Sequence, residues 1–140
     1  MTKNFIEKLK EHEGLKLKVY RCPAGKLTIG YGTNLEAGIS KRAAGFLLED
    51  KLLDITKQLA EKLPWIHDLT TARREALYDM AYNLGVSGLL KWKNTLKAME
   101  DGRYEDASNL ILSSLWHSQV GRRAEYVANL ILKGEYKNGS

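Results

Sequence analysis

Three residues near the start of the chain carry side chains that can move protons or orient water. Glu13, Cys22 and Thr28 are separated by eight and then five residues. A carboxyl group serves as a general acid or base, an ionised thiol as a base or nucleophile, and a hydroxyl both donates and accepts a hydrogen bond. Since the reference pKa of a thiol is about 8.5, Cys22 acts near neutral pH only if its surroundings lower that pKa. The basic residues that could do so are Lys16, Lys18, Arg21 and Lys26.

The pattern of the surrounding stretch predicts a β-hairpin. Apolar and other residues alternate through residues 15–20 and again through residues 27–32, which is the period of two expected of half-buried strands. Between the two runs, Pro23 presets φ for the second position of a tight turn and Gly25 tolerates the exit from it. This is the only β signal in the sequence.

The second strand of this hairpin has an open face. Thr28 shares that face with Gly30 and Gly32, which have no side chains. Another backbone or a ligand can therefore come close to the Thr28 hydroxyl, although a threonine in a strand is often simply a good β former.

Glu13 is expected at the end of the first helix. Thr2 is a candidate N-cap and is followed by apolar residues on one helical face, which predicts a helix over residues 3–12 that ends near Gly14. Glu13 then lies in the last turn, where the helix dipole disfavours a negative charge. For an isolated glutamate, a solvated position at a helix end is the ordinary interpretation.

A family resemblance changes that interpretation. The spacing of Glu13, Cys22 and Thr28, the last within T-I-G-Y-G, is similar to the Glu, Asp-or-Cys, Thr signature of phage-type lysozymes, the endolysins of glycoside hydrolase family 24. Three later segments also resemble that family in the same order, and the resemblance covers nearly the whole chain. They are L-T-T-A-R-R-E-A-L-Y-D-M-A-Y-N-L-G (69–85), K-N-T-L-K-A-M (93–99) and S-L-W-H-S-Q-V-G-R-R-A (114–124).

The resemblance implies an α+β, mostly helical lysozyme-like fold in a single domain of residues 1–140. A small lobe of about residues 12–50 would contain the hairpin. The N-terminal helix and about residues 64–140 would form a helical lobe. A long helix would join the two lobes, with a cleft between them.

The resemblance also implies catalytic roles. Glu13 corresponds to the acid that protonates the leaving oxygen of a glycosidic bond. Cys22 occupies the position at which most of the family has aspartate, where it would activate the attacking water, as an inverting enzyme requires. Thr28 would hold that water. The alternative for Cys22 is a small hairpin residue without a chemical role.

Three further residues are implied to bind substrate. Gly30 belongs to the open face of the hairpin. Arg123 corresponds to a family arginine that faces the catalytic glutamate across the cleft. Asn83 corresponds to an amide-bearing position that lines the cleft, although a polar residue near a helix end could equally be a cap.

The function implied is that of a muramidase, which cleaves the β-1,4 bond between N-acetylmuramic acid and N-acetylglucosamine of peptidoglycan during host cell lysis. Two alternatives stay open. One is a basic helical module that binds nucleic acid, but the lysines and arginines are dispersed along the chain and accompanied by acidic residues. The other is a wall-binding relative that has lost catalysis, for which Cys22 is the only hint.

Composition limits the setting in which the protein works. The formal charge of +5 and pI of about 9.3 favour encounter with polyanions, which include wall polymers as well as nucleic acid. A single cysteine excludes an internal disulfide, and no signal peptide or membrane span is apparent. We therefore expect a monomer that stays in the host cytoplasm, without stable membrane insertion, until a phage-encoded membrane pore (holin) gives access to the wall. No cofactor or metal-binding pattern is present, and we expect no nucleic-acid partner.

The remainder of the chain predicts helices. Tryptophans 65, 92 and 116 are expected in the core, and histidines 12, 67 and 117 on the surface. A turn is expected between Gly85 and Gly88, and a loop over residues 117–122. The expected helices are an apolar stripe over residues 44–63 stopped by Pro64, then residues 71–84, residues 92–99, a helix containing residues 107–111, and a last helix containing residues 124–131 that ends at Gly134.

Overall fold

The computed structural model describes residues 1–137 and divides them into two compact units, of which the first is Met1–Leu47 and the second begins at Leu48. The first unit contains one helix, a three-stranded antiparallel sheet and a short 3-10 helix. Their bounds are α1 (Lys3–Glu13), β1 (Lys16–Arg21), β2 (Leu27–Gly30), β3 (Thr33–Asn34) and the 3-10 helix Leu35–Ala37.

The rest of the described chain is helical. Helix α2 (Lys41–Lys62) begins in the first unit and continues into the second. After it come a 3-10 helix (Pro64–Asp68), α3 (Thr71–Leu84), α4 (Val86–Leu90), α5 (Lys93–Glu100), α6 (Tyr104–Leu112), α7 (Leu115–Val120) and α8 (Arg122–Lys133). This confirms the predicted α+β, mostly helical fold class. None of the helices in residues 1–137 is both long enough and apolar enough to cross a membrane.

Helix α1 begins and ends where the sequence predicts. The Thr2 hydroxyl accepts a hydrogen bond from the backbone N–H of Phe5 at 3.2 Å, which satisfies one of the unpaired donors of the first turn. Gly14, with φ +72°, donates its N–H to the carbonyl of Lys10 at 2.8 Å and ends the helix. Glu13 is therefore the last residue of α1.

The predicted hairpin is present, with three differences. A third strand, β3, pairs with β2, and Tyr31 lies in the connection between them instead of continuing β2. The apolar residues of β1 are not half-buried: Leu17 keeps 80% of its surface exposed. Alternation predicted the strands correctly, but it did not tell which face would be covered.

Helix α2 is capped by Ser40 and is stopped by Pro64, as predicted. The Ser40 hydroxyl accepts from the N–H of Ala43 at 3.1 Å, and Pro64 begins the 3-10 helix that follows. Only the last part of the predicted apolar stripe is buried, because Leu48 is exposed whereas Ile55 and Leu59 belong to the core. The stripe enters the core only in the second unit.

The core of the second unit surrounds α3, which has the predicted bounds. Its buried residues are Ala72, Ala76, Leu77, Met80 and Ala81. Trp116 is buried and meets Trp92 edge to face, with ring centroids 5.9 Å apart, while Trp65 and Trp92 are partly buried against the same core. The tryptophans are core residues, as predicted.

Three predictions about the second unit differ from the structure. Gly88 lies inside α4 rather than at the edge of a turn, and most of the loop expected over residues 117–122 is α7. Ser114 caps α7 by accepting from the N–H of His117 at 3.2 Å. His117 is also half-buried and not a free surface residue: one ring nitrogen is 2.8 Å from the Leu112 carbonyl and the other 2.9 Å from a Glu125 carboxylate oxygen.

An arginine of α3 hydrogen-bonds to the C-terminal end of α8. The guanidinium of Arg73 donates to the carbonyls of Ile131 and Leu132, at 2.7 and 3.2 Å, and its carbon lies 3.5 Å from the centroid of the Tyr104 ring. Gly134 ends α8 in the left-handed conformation, and a Cβ there would lie 2.6 Å from the same guanidinium carbon. Arg73 thus supplies donors to carbonyls that the helix end leaves unpaired. The lobe boundaries predicted from the family remain a prediction.

Candidate active site

Cys22 is held at the hairpin turn by backbone hydrogen bonds. The N–H of Gly25 donates to the Cys22 carbonyl at 2.7 Å, and the N–H of Cys22 donates to the Lys26 carbonyl at 3.0 Å. Pro23 occupies the second position of this turn, where its fixed φ is favourable, and Gly25 leaves it at φ +80°. The turn therefore fixes the direction in which the Cys22 side chain leaves the backbone.

Thr28 lies at the centre of the small sheet. It pairs with Tyr20 of β1 on one side and with Asn34 of β3 on the other, and only 3% of its surface is exposed. Its hydroxyl donates to the Lys26 carbonyl at 2.8 Å. That bond uses the one hydroxyl proton and leaves the oxygen lone pairs available as acceptors.

The structure brings Cys22 and Thr28 together. Hydrogen bonding to the backbone of Lys26, and then to the hydroxyl of Thr28, lowers the pKa of the half-buried Cys22 thiol. A donor that points at the sulfur stabilises the charged form of the thiol more than its neutral form. The Thr28 hydroxyl can be such a donor when it gives up its bond to the Lys26 carbonyl. The direction of the shift is the one the sequence analysis required, but its cause is hydrogen bonding and not the side-chain charges of neighbouring lysines and arginines.

Glu13 lies against the connection between β2 and β3. Its carboxyl group occupies the space into which a side chain at position 32 would project, since a Cβ built on Gly32 would collide with Oε2 of Glu13. Within residues 1–137, the Glu13 carboxylate receives no hydrogen bond and forms no salt bridge, and Glu13 is exposed. The carboxyl is thus placed by packing and is accessible.

Gly30 leaves open space beside the hairpin. Its φ is +69°, and a Cβ at this position would meet nothing within 4 Å. There is open space beside Gly30, and the binding of substrate there stays a prediction. Thr28, which the sequence analysis placed on the same open face, is only 3% exposed, so its hydroxyl is less accessible than predicted.

Asn83 and Arg123 belong to the second unit, where each has a partner that the sequence analysis missed. The Asn83 side-chain oxygen accepts from the Trp116 indole N–H at 2.8 Å, so Asn83 does not cap α3. Arg123 donates to Asp79 through Nε, at 2.7 Å from Oδ1, and through Nη2, at 3.3 Å from the backbone carbonyl. Asp79 and Asn83 are four residues apart on α3 and therefore lie on the same face of the helix. This shared face was the signal in the sequence that Asp79 could lie close to the residues around Asn83.

These contacts leave donors on both side chains. The Asn83 amide uses only its oxygen in the bond to Trp116, and Arg123 has five N–H donors, of which two go to Asp79. The predicted approach of Arg123 to Glu13 stays a prediction. No group of three His, Cys, Asp or Glu side chains within residues 1–137 is arranged to hold a metal ion.

Comparisons with known proteins identify the family to which the chain is similar. The model of the phage lysozyme family matches residues 10–130 of this chain. The chain is 25% identical to the probable T4-type lysozyme 2 of Dictyostelium discoideum over an alignment of 167 positions that covers 98% of each protein. It is 35% identical to an endolysin of Acyrthosiphon pisum secondary endosymbiont phage 1 over an alignment of 107 positions that covers 71% of this chain and 69% of that protein.

A further similarity is to part of a larger protein. The chain is 29% identical to the pre-baseplate central spike protein of Enterobacteria phage T4 over 164 residues. That alignment covers 96% of this chain but only 28% of the spike protein. The chain therefore spans somewhat more than a quarter of that relative and nearly the full length of the Dictyostelium lysozyme.

Proposed function

The chain belongs to the phage lysozyme family and is therefore a peptidoglycan-hydrolysing glycoside hydrolase, and on that premise we propose that it is an endolysin muramidase. The bond that we propose it cleaves is the β-1,4 bond between N-acetylmuramic acid and N-acetylglucosamine. The observation that carries the proposal is the position of Cys22 at the hairpin turn, where hydrogen bonding to the backbone of Lys26 and then to Thr28 lowers the thiol pKa. Such a thiol is suited to activating water.

Glu13 is the general acid in this proposal. Glycoside hydrolysis needs a proton for the leaving oxygen, and a carboxyl that is exposed and held by packing at the end of α1 can reach a substrate. Within residues 1–137 the carboxylate is not tied up by a hydrogen bond or salt bridge. No contact among those residues competes with a substrate for this group.

Cys22 is the base that activates the attacking water. The thiolate takes one proton from water while the resulting hydroxide attacks the sugar on the face opposite the leaving group, which inverts the anomeric centre. Thr28 can orient that water because the lone pairs of its hydroxyl remain available while its proton is shared with the Lys26 carbonyl. If the hydroxyl turns to donate to the thiolate or to water, it gives up the bond to Lys26.

We propose Gly30, Asn83 and Arg123 as substrate contacts. Gly30 leaves room for a sugar beside the hairpin. Asn83 and Arg123 retain N–H donors that can bind hydroxyl, acetamido or carboxylate groups of peptidoglycan. The bond that Arg123 donates to Asp79 fixes the guanidinium, so that less side-chain entropy is lost when substrate binds.

The biological setting is also part of the proposal. We propose that the protein acts as a monomer during host lysis, that it reaches the wall from the host cytoplasm through a phage-encoded pore (holin), and that it has no nucleic-acid partner. The similarity to a phage endolysin and the net charge of +5 support a role at an anionic wall.

Analysis of the reaction products tests the proposed bond and stereochemistry. Purified peptidoglycan is digested and the new reducing ends are reduced with borohydride, with Glu13→Gln as the background control. Muramitol at the new ends is expected, whereas glucosaminitol would show that the other glycosidic bond is cut. Proton NMR during the first turnovers should show the α-anomer, and an initial β-anomer would contradict inversion.

A further inference from the structure

The end of α1 touches the connection between β2 and β3 through two side chains. Lys10 and Glu13 are three residues apart and lie on one face of α1. The Lys10 ammonium is 5.6 Å from the centroid of the Tyr31 ring, and the Glu13 carboxyl lies over Gly32. Glu13, the acid of the proposed reaction, thus packs against the Tyr31–Gly32 segment.

Gly32 meets two constraints at once. Its φ of +76° is a conformation that residues with a side chain rarely adopt. A Cβ at this position would also collide with Oε2 of Glu13 and lie 3.2 Å from Cδ and 3.7 Å from Cβ of that residue. Among the other glycines of residues 1–47, a Cβ would meet nothing within 4 Å, including those at Gly30 and Gly38 with similar φ values.

We propose that Gly32 is a positioning residue for Glu13. The inference rests on the proposed function, in which Glu13 is the acid. Because position 32 carries no side chain, the carboxyl can rest against the β2–β3 connection in one orientation without needing a hydrogen bond to hold it. A methyl group at position 32 would move the carboxyl away from that seat, and a displacement of about 1 Å is enough to lower the rate of a positioned reaction about a hundredfold.

The first test compares Gly32→Ala with Gly38→Ala on soluble peptidoglycan fragments. Both glycines have a positive φ, +76° and +79°, so both variants place a side chain in a strained backbone conformation, but only a Cβ at position 32 meets Glu13. We expect kcat to fall about a hundredfold in Gly32→Ala with KM little changed, and Gly38→Ala to keep near-normal kcat. Equal kcat values for the two variants would overturn the proposal.

A second test does not depend on activity. Urea unfolding midpoints are measured for the wild type, Gly32→Ala, Glu13→Ala and the double variant. Glu13→Ala removes the atoms that collide and keeps only Cβ. Gly32→Ala should therefore lower the unfolding midpoint less in the Glu13→Ala background than in the wild type. Equal losses in both backgrounds would overturn the proposal.

The same cycle covers the case in which Gly32→Ala alone does not fold. Folding of the double variant would then support the contact, and failure of both to fold would contradict it. The proposed function is tested separately, by the activity of Glu13→Gln. If positions 13 and 32 are energetically coupled but Glu13→Gln is fully active, the packing contact exists but has no catalytic purpose. That result would overturn this proposal as well.

Discussion

At the scale of single residues, the chemistry depends on a thiol where most phage-type lysozymes are expected to have a carboxylate. A carboxylate with a reference pKa of about 3.9 is ionised throughout the neutral range, whereas a thiol with a reference pKa of about 8.5 is not. Hydrogen bonding to the backbone of Lys26 and to Thr28 lowers the pKa of Cys22 and brings its ionisation closer to neutral pH. Hydrogen bonding in the hairpin thus compensates in part for the higher intrinsic pKa of a thiol.

The ionisation of Cys22 can be followed directly, because it is the single cysteine of the chain. We expect the thiolate absorbance at 240 nm to rise with a midpoint below about 8.5, the value of an unperturbed thiol. Thr28→Val should move the midpoint upward, since it removes a hydrogen bond that lowers this pKa. Thr33→Val, at an exposed position of β3, should leave it unchanged. A midpoint in Thr28→Val equal to that of the wild type would contradict the described pairing.

The pH dependence of lysis should follow the same group. In the wild type the rising limb should track deprotonation of a thiol, and in Cys22→Asp it should lie several pH units lower because the reference pKa values differ by that much. Cys22→Ala and alkylated enzyme should lose most activity at every pH. Wild-type rates in Cys22→Ala would show that the sulfur is not the base.

At the scale of secondary-structure elements, α3 and α8 are joined by a contact that depends on the shape of an arginine. Arg73 combines two carbonyl acceptors at the end of α8 with the face of Tyr104. A lysine keeps the charge but has neither the planar fork nor the stacking surface. Replacing Arg73 with lysine should therefore weaken this contact.

We expect Arg73→Lys to lower the free energy of unfolding by about 1–2 kcal/mol, the loss of one to two hydrogen bonds to a charged donor. The neighbouring Arg74→Lys is the matched control, because within residues 1–137 the Arg74 guanidinium hydrogen-bonds only to the Thr71 hydroxyl, at 3.5 Å. Urea unfolding followed by circular dichroism measures both. Equal stabilities of the two variants would show that Arg73 does not brace α8.

The sequence predicted those elements whose patterns are long. Helix α3 has the predicted bounds because its apolar spacing repeats over 14 residues and a threonine precedes it. Helices α4 and α7 were missed because they have only five and six residues, too few for a helical period to show. What stabilises α7 is its Ser114 cap and the burial of Trp116, and burial depends on the tertiary structure.

In the candidate site, too, the sequence predicted the contact that is local in the chain and not those that depend on tertiary packing. Spacing predicted that Cys22 and Thr28 would meet, because a tight turn brings the two ends of a hairpin together. The seat of Glu13 on Gly32 was not predictable, because it depends on the packing of α1 against the β2–β3 connection. Likewise, the bonds from Trp116 to Asn83 and from Arg123 to Asp79 join residues 33 and 44 positions apart.

At the scale of the whole molecule, the positive charge should govern the encounter with the wall. The net charge of +5 is spread along the sequence, so its effect is a long-range attraction to an anionic surface, which salt screens. Lysis of whole walls should weaken as salt rises from about 0.05 to about 0.5 M, while the turnover of a small neutral glycan fragment should change little. A flat salt profile on whole walls would remove this role of the charge.

The central claim is that Glu13 delivers the proton that breaks the glycosidic bond. The most direct measurement is the rate at which purified peptidoglycan is cleared by Glu13→Gln, compared with Glu11→Gln on the same helix, whose exposed side chain pairs with Lys8 at 2.9 Å. Glutamine keeps the shape of Glu13 and removes its transferable proton, so we expect a loss of at least about a hundredfold. Glu11→Gln should clear peptidoglycan at nearly the wild-type rate. Near-normal clearing by folded Glu13→Gln would contradict the assignment of Glu13 as the acid.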